Sequence, residues 1–270
     1  YDISACLVGS EMCIRDSMRL EGKSTIVTGA NGGIGRAVAR RFLNEGANIT
    51  LVDLDKNQLN EFLASLSDER DKAIAIEADV SKSADVQNYV NAAMDAYGRV
   101  DTLFNNAGIE GSISSLEDYD ENTFDQVLQV NIKGVWLGMR HCADAMRRSG
   151  GGSIINTASA AGLMATPSLI AYGASKHAVI GMTKSASIEL APAGIRVNAV
   201  CPGVINTRMM RSIEQQTIPE NPEEYVKAVS EKTPLGRYGE ADGIASLVAF
   251  LASDEATYIT CLLYTSPSPR

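Results

Sequence analysis

The chain has 270 residues, 45% of them hydrophobic and 21% charged, enough to enclose the core of one full α/β domain. Its net charge of -9 disfavours nucleic acid and anionic membranes as partners, and its two histidines, His141 and His177, give a transition-metal site no raw material, so no metal is expected. No apolar run approaches a membrane span, and no basic stretch opens the chain as in a signal peptide, so a cytoplasmic protein with no membrane partner is expected.

The two ends read differently from what lies between them. One oligonucleotide, read on its two strands with ordinary codons, encodes both "LVGSEMCIRD" at residues 7–16 and "CLLYTSPSPR" at residues 261–270. That DNA looks like a transposase-type sequencing adapter. The expected division is therefore a non-native tail over 1–17, one domain over 18–260, and a non-native tail over 261–270. Setting aside Asp2, Glu11, Asp16, Arg15 and Arg270, three acids and two bases, leaves a charge of -8. Setting aside Cys6, Cys13 and Cys261 leaves Cys142 and Cys201, too few for a disulfide framework and in keeping with a reducing compartment.

Between the tails, short β-branched runs alternate with helical patterns. In order they are "STIVTG", "NITLVD", "AIAIEADV", "VDTLFNNAG", "SIINTAS" and "IRVNAVCPG", each followed by a turn and then apolar residues at helix spacing. Strand and helix in this rhythm predict a single-domain α/β fold of Rossmann type, a doubly wound parallel sheet with helices on both faces. From Val204 to about Pro234 the chain is polar, Met-containing and strandless, the natural candidate for a mobile substrate lid.

The first turn, in "TIVTGANGGIGRAVARRF", carries Gly29, Gly33 and Gly35 from a strand into a helix. Glycines there let backbone approach a pyrophosphate, which sits on the free N–H groups and positive end of the helix. The spacing is G-x-x-x-G-x-G, and a glycine turn alone can be just a tight turn. Asp53 closes the second strand near the ~20-residue offset of a ribose-binding carboxylate, which favours NAD over NADP by repelling a 2'-phosphate. Asp55 is its rival, and a solvated strand-end Asp is the plain alternative. Leu54 and Gly32 stand where a basic residue would meet that phosphate, while Arg36 and Lys56 speak for NADP.

Together the motifs resemble the short-chain dehydrogenase/reductase family across Met18 to Thr260. They are "TGANGGIG", Asp79-Val80, "NNAG" over 105–108, Asn131, Ser159, "YGASK" over 172–176 and "PGVINT" over 202–207. The resemblance implies cofactor contacts at Gly29, Asn31, Gly33, Ile34, Gly35, Asp53, Asp79, Val80, Asn105, Ala107, Gly108, Tyr172, Lys176, Pro202, Gly203, Ile205 and Thr207. It implies Asp79 and Val80 flanking the adenine, Ile205 and Thr207 at the nicotinamide carboxamide, and a catalytic set of Asn131, Ser159, Tyr172 and Lys176.

The chemistry of that set is coherent. Tyr172 and Lys176 lie one turn apart on one helix face, although on spacing alone the surface-pair reading is favoured. A tyrosine with a pKa of about 10 is a poor base, and a nearby ammonium would stabilise its phenolate. Ser159 would donate to the substrate oxygen, with Thr157, Ser168 and Ser175 as rivals. Asn131 would hold a water linking Lys176 to solvent; mid-helix Asn is mildly unfavourable, which marks it locally.

The sequence thus points to an NAD-dependent oxidoreductase acting on a small-molecule secondary alcohol or ketone. An NADP-dependent 3-oxoacyl-carrier-protein reductase is the alternative on the same fold, and a non-enzymatic dinucleotide sensor the alternative of another class. A third reading is a truncated product without activity. The resemblance further implies a homotetramer for the full-length protein. In the family, a segment like "ASDEATYIT" runs into Gly and a final edge strand. Here Cys261 replaces that Gly, so the last strand is expected to be truncated away, with none over 261–270.

Overall fold

In the computed structural model, which describes residues 18–66 and 70–265, the six β-branched runs all become strands. They are β1 (Ser24–Thr28), β2 (Asn48–Asp53), β3 (Ala73–Glu77), β4 (Thr102–Asn105), β5 (Gly152–Thr157) and β6 (Ile195–Cys201). With β7 (Leu263–Thr265) they form one parallel sheet in the order β3-β2-β1-β4-β5-β6-β7. The chain winds outward from β1 in one direction, then restarts at β4 and winds in the other, so the switch point lies between β1 and β4.

Period-two alternation sends neighbouring residues of each strand into separate cores. Ile26, Leu103, Ile154 and Val197 face α3 (Ser83–Tyr97), α5 (Val135–Ser149) and α6 (Ile170–Leu190). Val27, Phe104, Ile155 and Val200 face α1 (Gly33–Asn44), α2 (Lys56–Ala64) and α9 (Ala241–Ala252). Such strands are apolar on both faces, so they read as continuous runs and not as alternations. Each large side chain wholly buried here contributes about 2 kcal/mol.

Helix ends follow local chemistry. Asp55 caps α2 by accepting from the N–H groups of Asn57 and Gln58, and Asp120 caps α4 (Glu121–Leu128) through Thr123 N–H. Between α4 and α5 the helix widens into a π-helical segment, Gln129–Gly134. The strandless stretch after β6 folds into α7 (Arg208–Thr217) and α8 (Pro222–Lys232). None of the helices among the described residues is long and apolar enough to cross a membrane.

The expected absence of a strand after Thr260 is corrected: Leu263, Tyr264 and Thr265 pair in parallel with Ala199, Val200 and Cys201. An edge strand presents unpaired backbone groups, and any extended segment with β-prone residues answers them. The approach runs through Cys261, whose φ of 62° lies in the left-handed region and whose N–H donates to Val197 O at 2.9 Å. That conformation explains why a glycine is expected at this position. The tail over 1–17 and residues 266–270 lie outside the described residues.

Candidate active site

The ends of β1 and β4 are stitched together at the switch point. Thr28 Oγ1 accepts from Asn106 N at 2.9 Å and Ala107 N at 3.0 Å, while Asn106 Nδ2 donates to Thr28 O at 3.1 Å. Gly29, with φ of +65°, lies so close that a Cβ would stand 2.9 Å from Ala107 Cα. A Cβ on Gly35 would overlap the Gly29 carbonyl oxygen, so neither glycine is replaceable without moving backbone. The turn delivers the N-terminus of α1 with no side-chain cap and no acid in its first turn. The first N–H groups of that helix, at Gly33, Ile34 and Gly35, thus lack intrahelical partners and aim at one spot.

Asp53 is tied to this turn. Its carboxylate accepts from Asn31 N at 2.9 Å and from Leu54 N at 2.8 Å. The rival Asp55 is committed to capping α2, where its bonds to Gln58 and Asn57 hold its carboxyl below the usual range. Asn31 Nδ2 donates to Asp55 O, while its Oδ1 is buried with no hydrogen-bond partner among the described residues. Arg36 does not face this turn as a free cation: its guanidinium lies 5.2 Å from the centre of the Phe62 ring. Open helix N–H groups, a backbone cradle that admits no Cβ, and an orphaned acceptor beside Asp53 fit a dinucleotide.

The remaining expected contacts divide. Asp79 accepts from Ser81 N and Oγ, and although burial raises its pKa, these bonds and Lys82 pull it below the usual range. Val80 packs so tightly on Gly134 that a Cβ there would be 2.8 Å away. Ile205 is buried and bridges to Gly239, and Thr207 Cγ2 lies 3.1 Å from where a Cβ of Gly33 would stand. Pro202 O accepts from Ala160 N at 2.9 Å, joining "PGVINT" to the Ser159 turn. Asn105 closes β4 at this rim. It is buried, donating to Val135 O at 2.8 Å and Asn156 Oδ1 at 3.2 Å. The Asn106 side chain instead bonds the end of β1 at Thr28 O, and strand alternation separates the two asparagines.

The expected catalytic residues converge next to this cradle. Tyr172 and Lys176 share a face of α6, with Lys176 Nζ 5.5 Å from the centre of the Tyr172 ring. Nζ donates to Thr157 O at 2.8 Å. Asn131, in the π-helical segment, accepts from Ile109 N at 2.9 Å and donates to Ile109 O at 2.9 Å and Ser175 Oγ at 3.0 Å. Ser175 passes that link to Tyr172 O at 2.7 Å. Ser159 ends the β5 turn, accepts from Ala161 N at 3.1 Å and lies close enough to the Tyr172 hydroxyl to lower its pKa. Of its rivals, Thr157 serves Lys176 and Asn106, Ser175 serves Asn131, and Ser168 sits apart with φ of 64°.

Burial sets both titrating groups against charge. It raises Tyr172, with the Ser159 bond pulling it down and the Glu110 carboxylate pushing it further up. It lowers Lys176 to about 8, against a smaller opposing effect of Cys201. The expected depression of the phenol by the ammonium is therefore absent in this chain alone, where Lys176 is bonded to a carbonyl and not to Tyr172 Oη. The arrangement can offer a proton from Tyr172 and a hydroxyl from Ser159 to one substrate oxygen. No cluster of three or more His, Cys, Asp or Glu side chains among the described residues could hold a metal.

Comparison with known proteins places these features in company. The family model described as enoyl-(acyl carrier protein) reductase matches residues 29–263. Levodione reductase of Leifsonia aquatica is 39% identical over 243 residues, covering 89% of this chain and 91% of that protein. The structure of an NAD+-bound xylitol dehydrogenase superposes with a TM-score of 0.88 at 33% identity, covering 92% of this chain and 99% of that one. The 3-ketoacyl-(acyl-carrier-protein) reductase of Brucella melitensis, complexed with NADH, gives a TM-score of 0.82 at 34% identity, covering 92% and 97%.

Proposed function

The chain belongs to the short-chain dehydrogenase/reductase family, and from that premise we propose that it is an NAD-dependent oxidoreductase acting on a secondary alcohol or its ketone. The observation that carries this reading is the convergence of Ser159, Tyr172, Lys176 and Asn131 on the rim where α1 presents its open N–H groups. The nicotinamide, when bound, supplies the hydride chemistry. Gly33, Ile34 and Gly35 would hold the pyrophosphate, Asp53 the adenosine ribose, and Ile205 and Thr207 the carboxamide end.

Tyr172 gives a proton to the carbonyl oxygen in reduction and takes one from the alcohol in oxidation. Ser159 steadies the same oxygen. Lys176 would hold the nicotinamide ribose, and Asn131 would hold a water linking Lys176 to solvent. Because burial keeps Tyr172 protonated, oxidation quickens as pH rises, whereas reduction is favoured toward neutrality.

Asp53, fixed on Asn31 N, supports NAD, since its carboxylate accepts from a 2'-hydroxyl and repels a 2'-phosphate. The second reading, an NADP-dependent 3-oxoacyl-carrier-protein reductase, has the ketoacyl reductase likeness in its favour. The purified chain, assayed on secondary alcohols, hydroxysteroids, sugars and acyl thioesters with NAD and NADP side by side, separates the two. Turnover of alcohols with NAD supports the first, thioester reduction with NADPH the second, and binding of dinucleotide without turnover of any substrate a sensor.

A further inference from the structure

The strandless stretch after β6 holds a buried charge. Glu214, on α7, is a carboxylate only 2% exposed, although α8 beside it has no buried residue. A carboxylate out of water is costly unless it is paired. Arg211, one turn earlier, answers it: Nη1 donates to both Glu214 oxygens, at 2.9 Å and 2.8 Å. The other arm of the guanidinium goes elsewhere. Nη2 donates to Asn206 Oδ1, and the guanidinium carbon lies 6.0 Å from the centre of the Tyr238 ring.

Asn206 is itself placed by backbone bonds. Its N–H donates to Gly239 O at 2.9 Å, Gly239 N donates to Val204 O at 2.9 Å, and Ile205 bridges to Gly239 between them. Next in the chain is Thr207, the residue that opens α7, whose Cγ2 stands 3.1 Å from where a Cβ on Gly33 would be. The guanidinium therefore ties α7 to the segment that runs past the glycine cradle. A planar fork fixes two partners relative to each other, which a point charge such as an ammonium does not. The burial of Glu214 explains one arm of the fork; it does not explain the arm to Asn206, an exposed residue. We infer that Arg211 is a positioning residue for cofactor binding: through Asn206 it holds residues 205–207 against the cradle, and Glu214 holds Arg211. The start of the lid is then a fixed wall of the cofactor site and not a moving flap.

This inference rests on the dinucleotide part of the reading above, in which Ile205 and Thr207 meet the nicotinamide end. Calorimetric titration of the purified chain with NADH, and with ADP-ribose, which lacks the nicotinamide, tests it without turnover. Arg211→Lys keeps a cation for Glu214 and loses the fork, while Asn206→Ala removes the acceptor from an exposed position. Each should weaken NADH binding about fivefold and leave ADP-ribose affinity within about twofold of the wild type. The double variant should weaken NADH no more than either change alone, since both cut one link. Asn206→Ala decides alone should Arg211→Lys unfold. Unchanged NADH affinity overturns the inference, and so does an equal loss for both ligands, which marks a general loosening. Additive losses in the double variant overturn it too. A wild type that binds neither ligand fails the dinucleotide reading itself, and the inference with it.

Discussion

At the rim where the strands begin, Lys23 pairs with Asp254 at 2.7 Å, Arg99 makes two bonds to Asp101, and Arg196 donates to the carbonyls of Leu251, Ser253 and Ile259. A recess of about 540 Å³ opens there, lined by these groups. At the rim where the strands end, the N-terminus of α1 is uncapped, Asn31 Oδ1 is orphaned, and Lys176 is buried with its pKa lowered. Both rims are polar, and both hold a buried side-chain oxygen without a partner among the described residues, Ser24 Oγ and Thr102 Oγ1 at the first and Asn31 Oδ1 at the second. They differ in their charges, which are paired at the first, while Lys176 at the second is buried with only a carbonyl for partner. A recess alone therefore does not mark the functional end; a buried lysine with a lowered pKa beside an uncapped helix start does.

The sharpest way to break this comparison is at Lys176. Its folded pKa of about 8 lies below the ordinary 10.5, so between those values the unfolded chain binds more protons than the folded one. Stability should therefore rise with pH through that window, by up to about 3 kcal/mol, with the full cost present below it. Lys176→Met should remove this rise, as read from urea unfolding at several pH values. An identical pH slope in both proteins would mean that Lys176 is not held against charge.

Asp101 tests the other rim. It accepts from Ser24 N at 2.9 Å as well as from Arg99, and Asp101→Ala leaves that N–H unanswered. A loss of about 2 kcal/mol in stability is expected, with kcat per folded molecule unchanged. A kinetic defect without a stability defect would reverse the assignment of the two rims. A smaller effect belongs to Asp53→Ala, which should narrow the ratio of kcat/KM for NAD over NADP by about tenfold, equal to about 1.4 kcal/mol. The smallest is Cys261→Gly. Relieving a left-handed non-glycine residue should add about 1 kcal/mol, a rise in Tm of roughly 2 °C.

What the sequence makes legible follows the same division. Gly29 and Gly35 are readable because backbone contact forbids any other residue, and Tyr172 and Lys176 because helix spacing puts them on one face. The doubly wound sheet follows from apolar runs that must be buried on both faces. Asn105 and Asn106 are alike in the sequence, and only the fold shows that the first side chain enters the core and the second bonds the end of β1. The π-helical segment was read as ordinary helix with Asn131 inside it, since a widened turn leaves no mark in composition. The strand β7 was missed because edge pairing is a backbone matter and asks little of side chains.

The central claim is direct hydride exchange between a carbinol carbon and nicotinamide under proton transfer by Tyr172. It is tested by supplying a secondary alcohol carrying deuterium on its carbinol carbon, with NAD, and locating the label by mass spectrometry. The account predicts that the deuterium appears on the nicotinamide ring of the reduced cofactor, and that Tyr172→Phe cuts its transfer about a thousandfold while still binding NAD. Label retained in the alcohol or lost to solvent, or full transfer by Tyr172→Phe, would contradict it.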